Sequence, residues 1–481
     1  MIEGLRPYAD MRASGVDWLP PIPANWEIHR AKYAFNEVDV RSVTGGEELL
    51  SVSHKTGVTP RSQKNITMFM AESYEGHKTC QPGDIVVNTM WAWMSALGIS
   101  KHVGIVSPAY GVYRPRRDCD FEPRFLDYLL RTEAYRGEYL RSSRGVTTSR
   151  LRLYPPDFLN IPFVQPPLEE QRLIVRFLDW HGGMTARLIR AKKRLIALLN
   201  EQKQAIIHHA VTRGLNPDAP LKPSGVDWLG DVPEGWEVLR IRNVADMRVS
   251  GVDKKTAEDE LPVRLCNYVD VYKNDSIHGD IPFMIATASE AEISRFRICI
   301  GDVIITKDSE DWLDIGVPAL VETEADDLVC AYHLALLRPK PDVMSGAFLF
   351  WQLLGPSARL QFSLSAAGVT RYGLGHGAIK AIPMIVPPLD VQDAIVAHIK
   401  KATATISATI KDAQHEITLI QEFRTCLIAD VVTGQLDVRA LAATLPEIAD
   451  ATPLDDLIDS DEGNDETNED ADTFAPEEAD A

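Results

Sequence analysis

Two short stretches in the first part of the chain combine arginine or lysine with hydroxyl side chains. One runs over residues 53–57 and continues to Arg61 and Lys64, and the other covers residues 141–150. Guanidinium and ammonium groups pair with phosphate oxygens, and hydroxyl groups can reach base edges. Both stretches suit a nucleic acid, although an ordinary solvated loop is the alternative for any single residue. The candidate residues are Lys55, Thr56, Arg61, Lys64, Arg141, Ser142, Arg144, Thr147, Thr148 and Arg150.

The second half of the chain has its own polar candidates, which follow different motifs. They are Asn267, Tyr268, Lys307, Thr370, Arg371 and Tyr372, with His376 as a further candidate. In the first half, Trp91 and Trp93 alternate as they would along a strand, which predicts that both pack in the core. The two halves therefore do not present the same set of candidate contacts.

Catalytic motifs are missing from the pattern. A stand-alone DNA methyltransferase should show a glycine-rich cofactor loop after a strand and an Asn/Asp-Pro-Pro-aromatic run. Residues 154–157 have the two prolines but no Asn or Asp ahead of them, and the glycines at 373–377 have no clear strand before them or helix after them. His208 and His209 lie in a helical pattern, where solvated or subunit-facing positions are expected. A methyltransferase or nuclease remains the alternative class, and a purely structural coiled-coil scaffold is a third.

Two long helices must position these candidates. Pro166-Pro167-Leu168-Glu169-Glu170-Gln171 and Pro387-Pro388-Leu389-Asp390-Val391-Gln392 match at an offset of 221. Proline and acidic residues favour a helix start. The first helix should end at Gly214 and the second at Gly434. Alternating spacings of three and four predict coiled-coil seams. The predicted positions are Ile174, Phe177, Met184, Leu188, Ala191, Leu195 and Leu198, and then Ile399, Thr403, Ile406, Ile410, Ala413, Ile417, Ile420, Arg424, Leu427 and Val431.

A second duplication marks the entrance to each candidate domain. Residues 14–30 and 224–240 both begin Ser-Gly-Val-Asp-Trp-Leu and share a later Pro and Trp at an offset of 210. Such identity indicates an internal repeat, and we expect the tryptophans to form a structural clasp. Each region then contains β-rich runs after Gly83-Asp84 and Gly301-Asp302, and ends with Gly-Val-Thr. Between these landmarks the two regions share little sequence.

Composition bounds the class of protein. A chain of 481 residues is too long for one ordinary core. Six scattered cysteines without a Cys-x-x-Cys pair signal neither a disulfide framework nor a zinc site, which fits a reducing cytoplasm. The net charge is −19, but residues 447–481 hold 15 Asp or Glu and no Lys or Arg. The rest of the chain is nearly neutral, so the overall acidity does not exclude a nucleic-acid partner. The acidic tail is expected to be disordered.

The order, duplication and spacing of these motifs resemble those of the specificity (S) subunit of type I restriction–modification systems, over about residues 8–440. The resemblance implies an α+β fold, with two β-rich α/β target recognition domains separated by a pair of long antiparallel coiled-coil helices. The expected boundaries are a first recognition domain at 1–165, a central helix at 166–214, a second recognition domain at 215–386, a distal helix at 387–434 and an acidic tail at 435–481.

The resemblance also implies a function. Each recognition domain would read one half of a split double-stranded DNA site, through the candidate residues named above. The chain would not be an enzyme itself. Two modification subunits would bring S-adenosylmethionine chemistry, and restriction subunits would bring ATP, Mg and DNA cleavage. The two helices, about 65 Å long at 1.5 Å per residue, would set the spacing between the half-sites.

Overall fold

The computed structural model describes residues 5–63, 73–147 and 150–446. The candidates Lys64 and Thr148 and the acidic tail from residue 447 lie outside the described residues. The chain divides into two compact units, one formed by residues 1–193 and 415–481 and the other by residues 194–414. Within the described residues, no helix is both long and apolar enough to cross a membrane.

The first unit is built on a four-stranded antiparallel sheet. Its strand order is Phe35–Glu37, Gly111–Pro115, Ile85–Val87 and Leu97–Ile99. Every residue of the central strand Ile85–Val87 is buried, because helices cover one face and a β-hairpin covers the other. The unit's other strands are Met11–Arg12, Ile22–Pro23, Glu27–Arg30, Leu50–Ser53, Gly57–Pro60, Lys78–Cys80, Gly104–Val106 and Pro162–Gln165. Its short helices are Ala31–Ala34, Pro123–Leu130, Glu133–Ser142, Pro155–Leu159 and Arg439–Thr444.

The second unit has a five-stranded sheet of related order. The strands run Ala245–Val249, Leu334–Pro339, Val303–Thr306, Pro318–Val321 and Ser276–Ile277, with only the last pair parallel. A three-stranded sheet of Met284–Ala288, Leu261–Cys266 and Leu328–Cys330 is added to this unit. The remaining strands are Leu221–Pro223, Asp231–Pro233, Glu237–Arg240, Asp308–Ser309, Ala366–Gly368, Tyr372–Leu374 and Pro383–Val386. The short helices are Ile241–Val244, Tyr268–Lys273, Glu290–Phe296, Gly346–Leu354, Pro356–Ser365 and His376–Ala381.

Two long helices complete the fold: the central helix, Leu168–Arg213, and the distal helix, Leu389–Val432. In the first unit, Ile174 and Phe177 share an apolar core with Leu427 and Val431. In the second unit, the end of the central helix shares a core with Ile395 and Ile399 at the start of the distal helix. Each unit therefore joins the start of one helix to the end of the other. The predicted α+β class with two long packed antiparallel helices is confirmed.

The predicted seam of the distal helix is correct, because all ten of its positions are buried or half-buried. The predicted seam of the central helix is wrong along its middle. Met184, Leu188, Leu195 and Leu198 are 43–54% exposed. The inner positions lie one residue later, which is a rotation of about 100° around the helix axis. They are Thr185, Ile189, Lys192, Ile196 and Leu199, and the heptad spacing continues from Leu178 and Gly182 to Lys203, Ile206 and Ala210.

The reason for this error is chemical. The sequence offers two parallel stripes at heptad spacing, and the stripe that is richer in leucine and methionine faces outwards. Lys192 and Lys203 occupy inner positions because a lysine can bury its aliphatic stem while its ammonium group reaches the edge. The Lys192 ammonium pairs with Glu416 at that edge, and the Lys203 ammonium lies 3.9 Å from a carboxylate oxygen of Asp275.

The core prediction for Trp91 and Trp93 also needs correction. Both are half-buried and lie at a short 3-10 turn, Ala92–Met94, rather than on a strand. Their rings stack with centroids 6.5 Å apart. The turn is possible because Ser95 adopts a left-handed backbone with φ 66°.

Candidate nucleic-acid interface

One buried glutamine at the start of each long helix ties that helix to its domain. The Gln171 side-chain oxygen accepts a hydrogen bond from the Glu122 backbone N–H at 2.8 Å. Its amide nitrogen donates to the carbonyls of Asp120 and Pro166. Gln392 repeats this arrangement with the Ser345 N–H and the carbonyls of Val343 and Pro387. Both glutamines are 0% exposed, so the Pro-Pro-Leu-x-x-Gln motif acts as a joint between helix and domain.

The duplicated tryptophans form a clasp over the helix ends. The central helix ends at Gly214, which has φ +75°, and a Cβ added there would lie 2.9 Å from the Trp236 ring. The distal helix ends at Gly434, with φ +78°, and a Cβ there would meet Pro23 at 2.3 Å and the Trp26 ring at 3.1 Å. Only glycine combines a left-handed backbone with so close an approach. The predicted structural role of these segments is therefore visible in the packing of both ends.

The first clasp also contains a buried acid that the second lacks. Glu170 accepts hydrogen bonds from the Tyr8 hydroxyl at 2.6 Å and from the Trp26 indole N–H at 2.9 Å. Burial, and then this hydrogen bond to Glu170, raise the pKa of Tyr8 far above its ordinary value. The duplicated frame is thus locked by different chemistry at its two ends.

Each sheet carries one buried ion pair at the same place. Asp84, only 1% exposed, accepts two hydrogen bonds from the Arg114 guanidinium at 2.9 and 2.7 Å. Asp302, 2% exposed, does the same with Arg338. Gly83 and Gly301 precede the two acids with φ +90° and +89°. The Gly-Asp pair is therefore a turn that anchors the central strand of each sheet.

The described candidates among residues 141–150 lie at the end of the helix Glu133–Ser142 and in the segment after it. Arg141 forms a bidentate pair with the buried Glu138, and the Ser142 hydroxyl donates to the same carboxylate. Arg144 donates to Asp157 at 2.6 Å. The side chains of Arg141 and Arg144 are 71% and 70% exposed. Their guanidinium groups are held in place while one face stays open to solvent, as a phosphate contact requires.

The other candidates of the first unit lie on a different element. Lys55 and Thr56 form the turn of the hairpin Leu50–Ser53 and Gly57–Pro60, where the Thr56 and Ser53 hydroxyls are 2.9 Å apart. Arg131 donates to the carbonyls of His54 and Lys55 and so fixes this turn. Arg61 begins the short helix that follows the hairpin. The turn borders a cavity of about 820 Å³, which is also lined by Lys101, Arg124 and Arg424.

In the second unit, the structure brings most of the candidates together. The strand Asp308–Ser309, directly after Lys307, pairs with Tyr372 and Gly373. Tyr372 belongs to a hairpin whose tip is formed by residues 369–371. Burial has the largest effect and raises the pKa of Tyr268. Tyr268 lies near Ser309 and Arg371, since hydrogen bonding with Ser309 and the charge of Arg371 both act to lower its pKa. Lys307, Thr370, Arg371, Tyr372 and Tyr268 thus form one polar surface.

Two candidates of the second unit have local structural roles. The Asn267 side-chain oxygen caps the helix Tyr268–Lys273 by accepting from the backbone N–H groups of Val269 and Asp270. This capping box commits the side-chain oxygen to the protein. His376 is exposed at the first turn of the helix His376–Ala381. Within the described part of the chain, neither side chain is hydrogen-bonded to the residues of the polar surface.

Sequence reasoning missed the acids that organise these surfaces. Asp308 accepts from Lys307 at 3.0 Å and also contacts the His333 ring. Burial alone would raise the Asp308 pKa, but the hydrogen bonds from His333 and Lys307 outweigh it and lower the pKa. Glu138 lies three residues before Arg141, and this i,i+3 spacing in a helix could have predicted their ion pair. His333 carried no local signal, because it is 25 residues from Asp308.

In the part of the chain that is described, no three His, Cys, Asp or Glu side chains are grouped so that they could hold a metal ion. The polar groups of these surfaces are arginine, lysine, tyrosine and threonine side chains that are exposed or half-buried. This set can bind an extended anionic ligand.

Comparison with known proteins identifies the relatives. No protein-family model matches the chain. The specificity subunit assigned to the type I restriction enzyme MjaX of Methanocaldococcus jannaschii is 22% identical over 347 residues, covering 68% of this chain and 71% of that protein. The MjaVIII specificity subunit of the same organism is 21% identical over 287 residues, covering 59% of this chain and 64% of that protein.

One solved structure has the same fold. It comes from work on the complex assembly and conformational transition of the type I R-M system. This chain aligns with it with a TM-score of 0.59 and 16% sequence identity. The alignment covers 85% of this chain and 98% of the other. The shared fold agrees with the two sequence relatives and with the duplicated frame described above. In sequence and in fold, the chain is therefore similar to type I restriction enzyme specificity subunits.

Proposed function

We propose that this chain reads a split double-stranded DNA target, with one half-site bound by each β-rich domain. The observation that carries the proposal is that one duplicated frame holds two different surfaces. Gln171 and Gln392 make the same three hydrogen bonds, and Gly214 and Gly434 are clasped in the same way. A repeated support with different contact residues suits two half-sites of different sequence.

Phosphate contacts would come from the exposed guanidinium groups of the first unit and from Lys307 and Arg371 of the second. Phosphate contacts supply affinity and position the protein, whereas base-edge contacts supply specificity. The hydroxyl-bearing candidates Thr56, Thr147, Thr148, Thr370 and Tyr372 are proposed for the second role.

The chain would act as a non-catalytic subunit. Two modification subunits would supply S-adenosylmethionine chemistry, and restriction subunits would supply ATP, Mg and cleavage. The duplication supports two equivalent docking positions. The outward stripe of Met184, Leu188, Leu195 and Leu198 on the central helix supports apolar packing against a partner. We place the complex in the cytoplasm, where it would meet genomic DNA.

The proposal is tested by mapping methylated sites in cells that carry the intact system. The expected result is one bipartite sequence with an unspecified gap. The purified complex should then bind a duplex with this sequence more tightly than one with both half-sites replaced. Purified chain alone should transfer no methyl group from S-adenosylmethionine to DNA. If it did, the stand-alone methyltransferase alternative would replace this proposal.

The contact residues are tested by replacing Arg141, Arg144 and Arg150 together with Ala. Each lost phosphate contact should lower the slope of log K against log salt by about 0.9. Binding to target and non-target DNA should weaken together, because phosphate contacts do not read sequence. The control is the Arg116→Ala/Arg117→Ala double variant, which removes two exposed arginines of the same unit. Normal binding with an unchanged salt slope in the triple variant would rule out this surface.

A further inference from the structure

The two most exposed large apolar side chains among the described residues occupy the same place in the repeat. Val146 is 99% exposed and Val369 is 90% exposed, and the next, Val43, is 81% exposed. Val146 and Val369 are the middle residues of the two Gly-Val-Thr motifs. Gly-Val-Thr is one of the few motifs that the two domains share, and the high exposure of its valine in both domains indicates a common role.

Both valines lie at the tip of a hairpin with matching connections. In the second unit, Gly368 pairs with Tyr372, so residues 369–371 form the loop. In the first unit, Arg144 pairs with Arg152 through two backbone hydrogen bonds of 2.9 Å. On the C-terminal side of each valine, a leucine N–H donates to a residue just beyond the strand that follows the Gly-Asp turn. Leu153 donates to the carbonyl of Thr89 at 2.9 Å, and Leu374 donates to that of Lys307 at 2.8 Å.

The glycine before each valine is required by the backbone. A Cβ at Gly145 would lie 2.4 Å from the Arg150 carbonyl oxygen, and one at Gly368 would lie 2.0 Å from that of Arg371. The repeat of glycine is therefore explained by the shape of the turn. The repeat of valine is not, because a fully exposed valine adds no packing to its own domain. Its role must lie outside the chain.

The surroundings of the tips favour DNA as the ligand. Arg144 and Arg150 flank the first tip, and Thr370, Arg371 and Tyr372 form the second tip and its strand. Cationic and hydroxyl groups around a projecting apolar residue suit a groove, where the walls are phosphate and the floor has apolar sugar and base edges. A partner-protein contact would instead suit an apolar surround.

Resting on the proposed function, we propose that Val146 and Val369 insert into a DNA groove at the two half-sites and make the same sequence-independent contact there. A residue that is identical in both domains cannot distinguish half-sites of different sequence. Each valine therefore contributes to affinity and positions its hairpin in the groove. Neighbouring side chains that differ between the domains read the bases.

The experiment uses the full chain assembled with its partner subunits and two duplexes, one with the mapped target and one with both half-sites replaced. Dissociation constants are measured for Val146→Ala, Val369→Ala and the double variant. Val43→Ala is the matched control, because it is a similarly exposed valine outside the repeat. Val→Ile at each tip tests rescue by a larger apolar residue. Thermal unfolding and mass photometry check folding and assembly.

Each single variant should bind about threefold to tenfold more weakly, since alanine lacks two methyl groups that binding would bury. In the double variant, the two fold-losses in affinity should multiply. The ratio of the dissociation constants for the two duplexes and the slope of log K against log salt should stay unchanged. Val→Ile and Val43→Ala should bind like the unmodified chain. Unchanged binding by the double variant overturns the inference, and so does a loss of partner assembly with normal DNA binding. If the unmodified complex does not distinguish the two duplexes, the proposed function fails instead.

Discussion

Replacing Gln392 with Leu tests the hydrogen bonds that join the distal helix to the rest of the second unit. Leucine has a similar volume and a high helix propensity, so the helix itself should remain. The change removes all three hydrogen bonds of the buried amide, which have lengths of 2.8–2.9 Å. It leaves the Ser345 N–H and the carbonyls of Val343 and Pro387 without that partner.

The size of the effect follows from these groups. A buried donor or acceptor that loses its partner costs about 1–3 kcal/mol, and carbonyls tolerate the loss better than an N–H. The loss of the partner at these three groups should destabilise the unit by about 3–5 kcal/mol, and burial of the leucine side chain offsets about 1 kcal/mol of this cost. We expect the free energy of unfolding of the second unit to fall by about 2–4 kcal/mol. Gln171→Leu should have a similar effect on the first unit.

Urea unfolding followed by hydrogen exchange with mass spectrometry measures this loss for each unit separately. Exchange at the Ser345 amide should accelerate in Gln392→Leu, and exchange at the Glu122 amide should not. Gln202→Leu, an exposed position on the central helix, is the matched control and should change stability by less than about 0.5 kcal/mol. A cost below about 1 kcal/mol for Gln392→Leu, with normal protection of Ser345, would refute the reasoning.

Further predictions concern the helices and the polar surface of the second unit. Gly183→Ala should stabilise the chain by about 0.5–1 kcal/mol, because a Cβ there meets open space within the helix. Gly214→Ala should destabilise it, because φ is +75° and Trp236 is too close; urea midpoints test both. One heptad inserted at matched positions of both long helices should lengthen the gap between the two half-sites of the methylated sequence by about three base pairs. An unchanged gap would show that the helices do not set this spacing. Asp308 has a lowered pKa, so its ionised form stabilises the second unit above about pH 4 and this contribution is lost as the pH falls. Urea unfolding should therefore show a difference between the unmodified chain and Asp308→Asn that shrinks below about pH 4.

Local chemistry made much of the frame predictable from sequence. Proline pairs and acids mark helix starts, and glycines mark helix ends. Each of these residues suits a backbone conformation that depends only on its neighbours in the sequence. The central helix, Leu168–Arg213, accordingly begins and ends within two residues of the expected bounds. The repeat of these marks also indicated the pairing of two long helices, since matching elements can pack symmetrically.

Tertiary structure alone decided which face of the central helix is buried and which partners hold the candidate contacts. Two heptad stripes one residue apart are both compatible with a helix, and only the partner helix selects the one with Lys192 inside. The pairing of Asp308 with His333 and the exposure of Val146 and Val369 arise from chain segments that meet only after folding. Spacing along the sequence carries no information about such contacts, because the physical forces depend on distance in space.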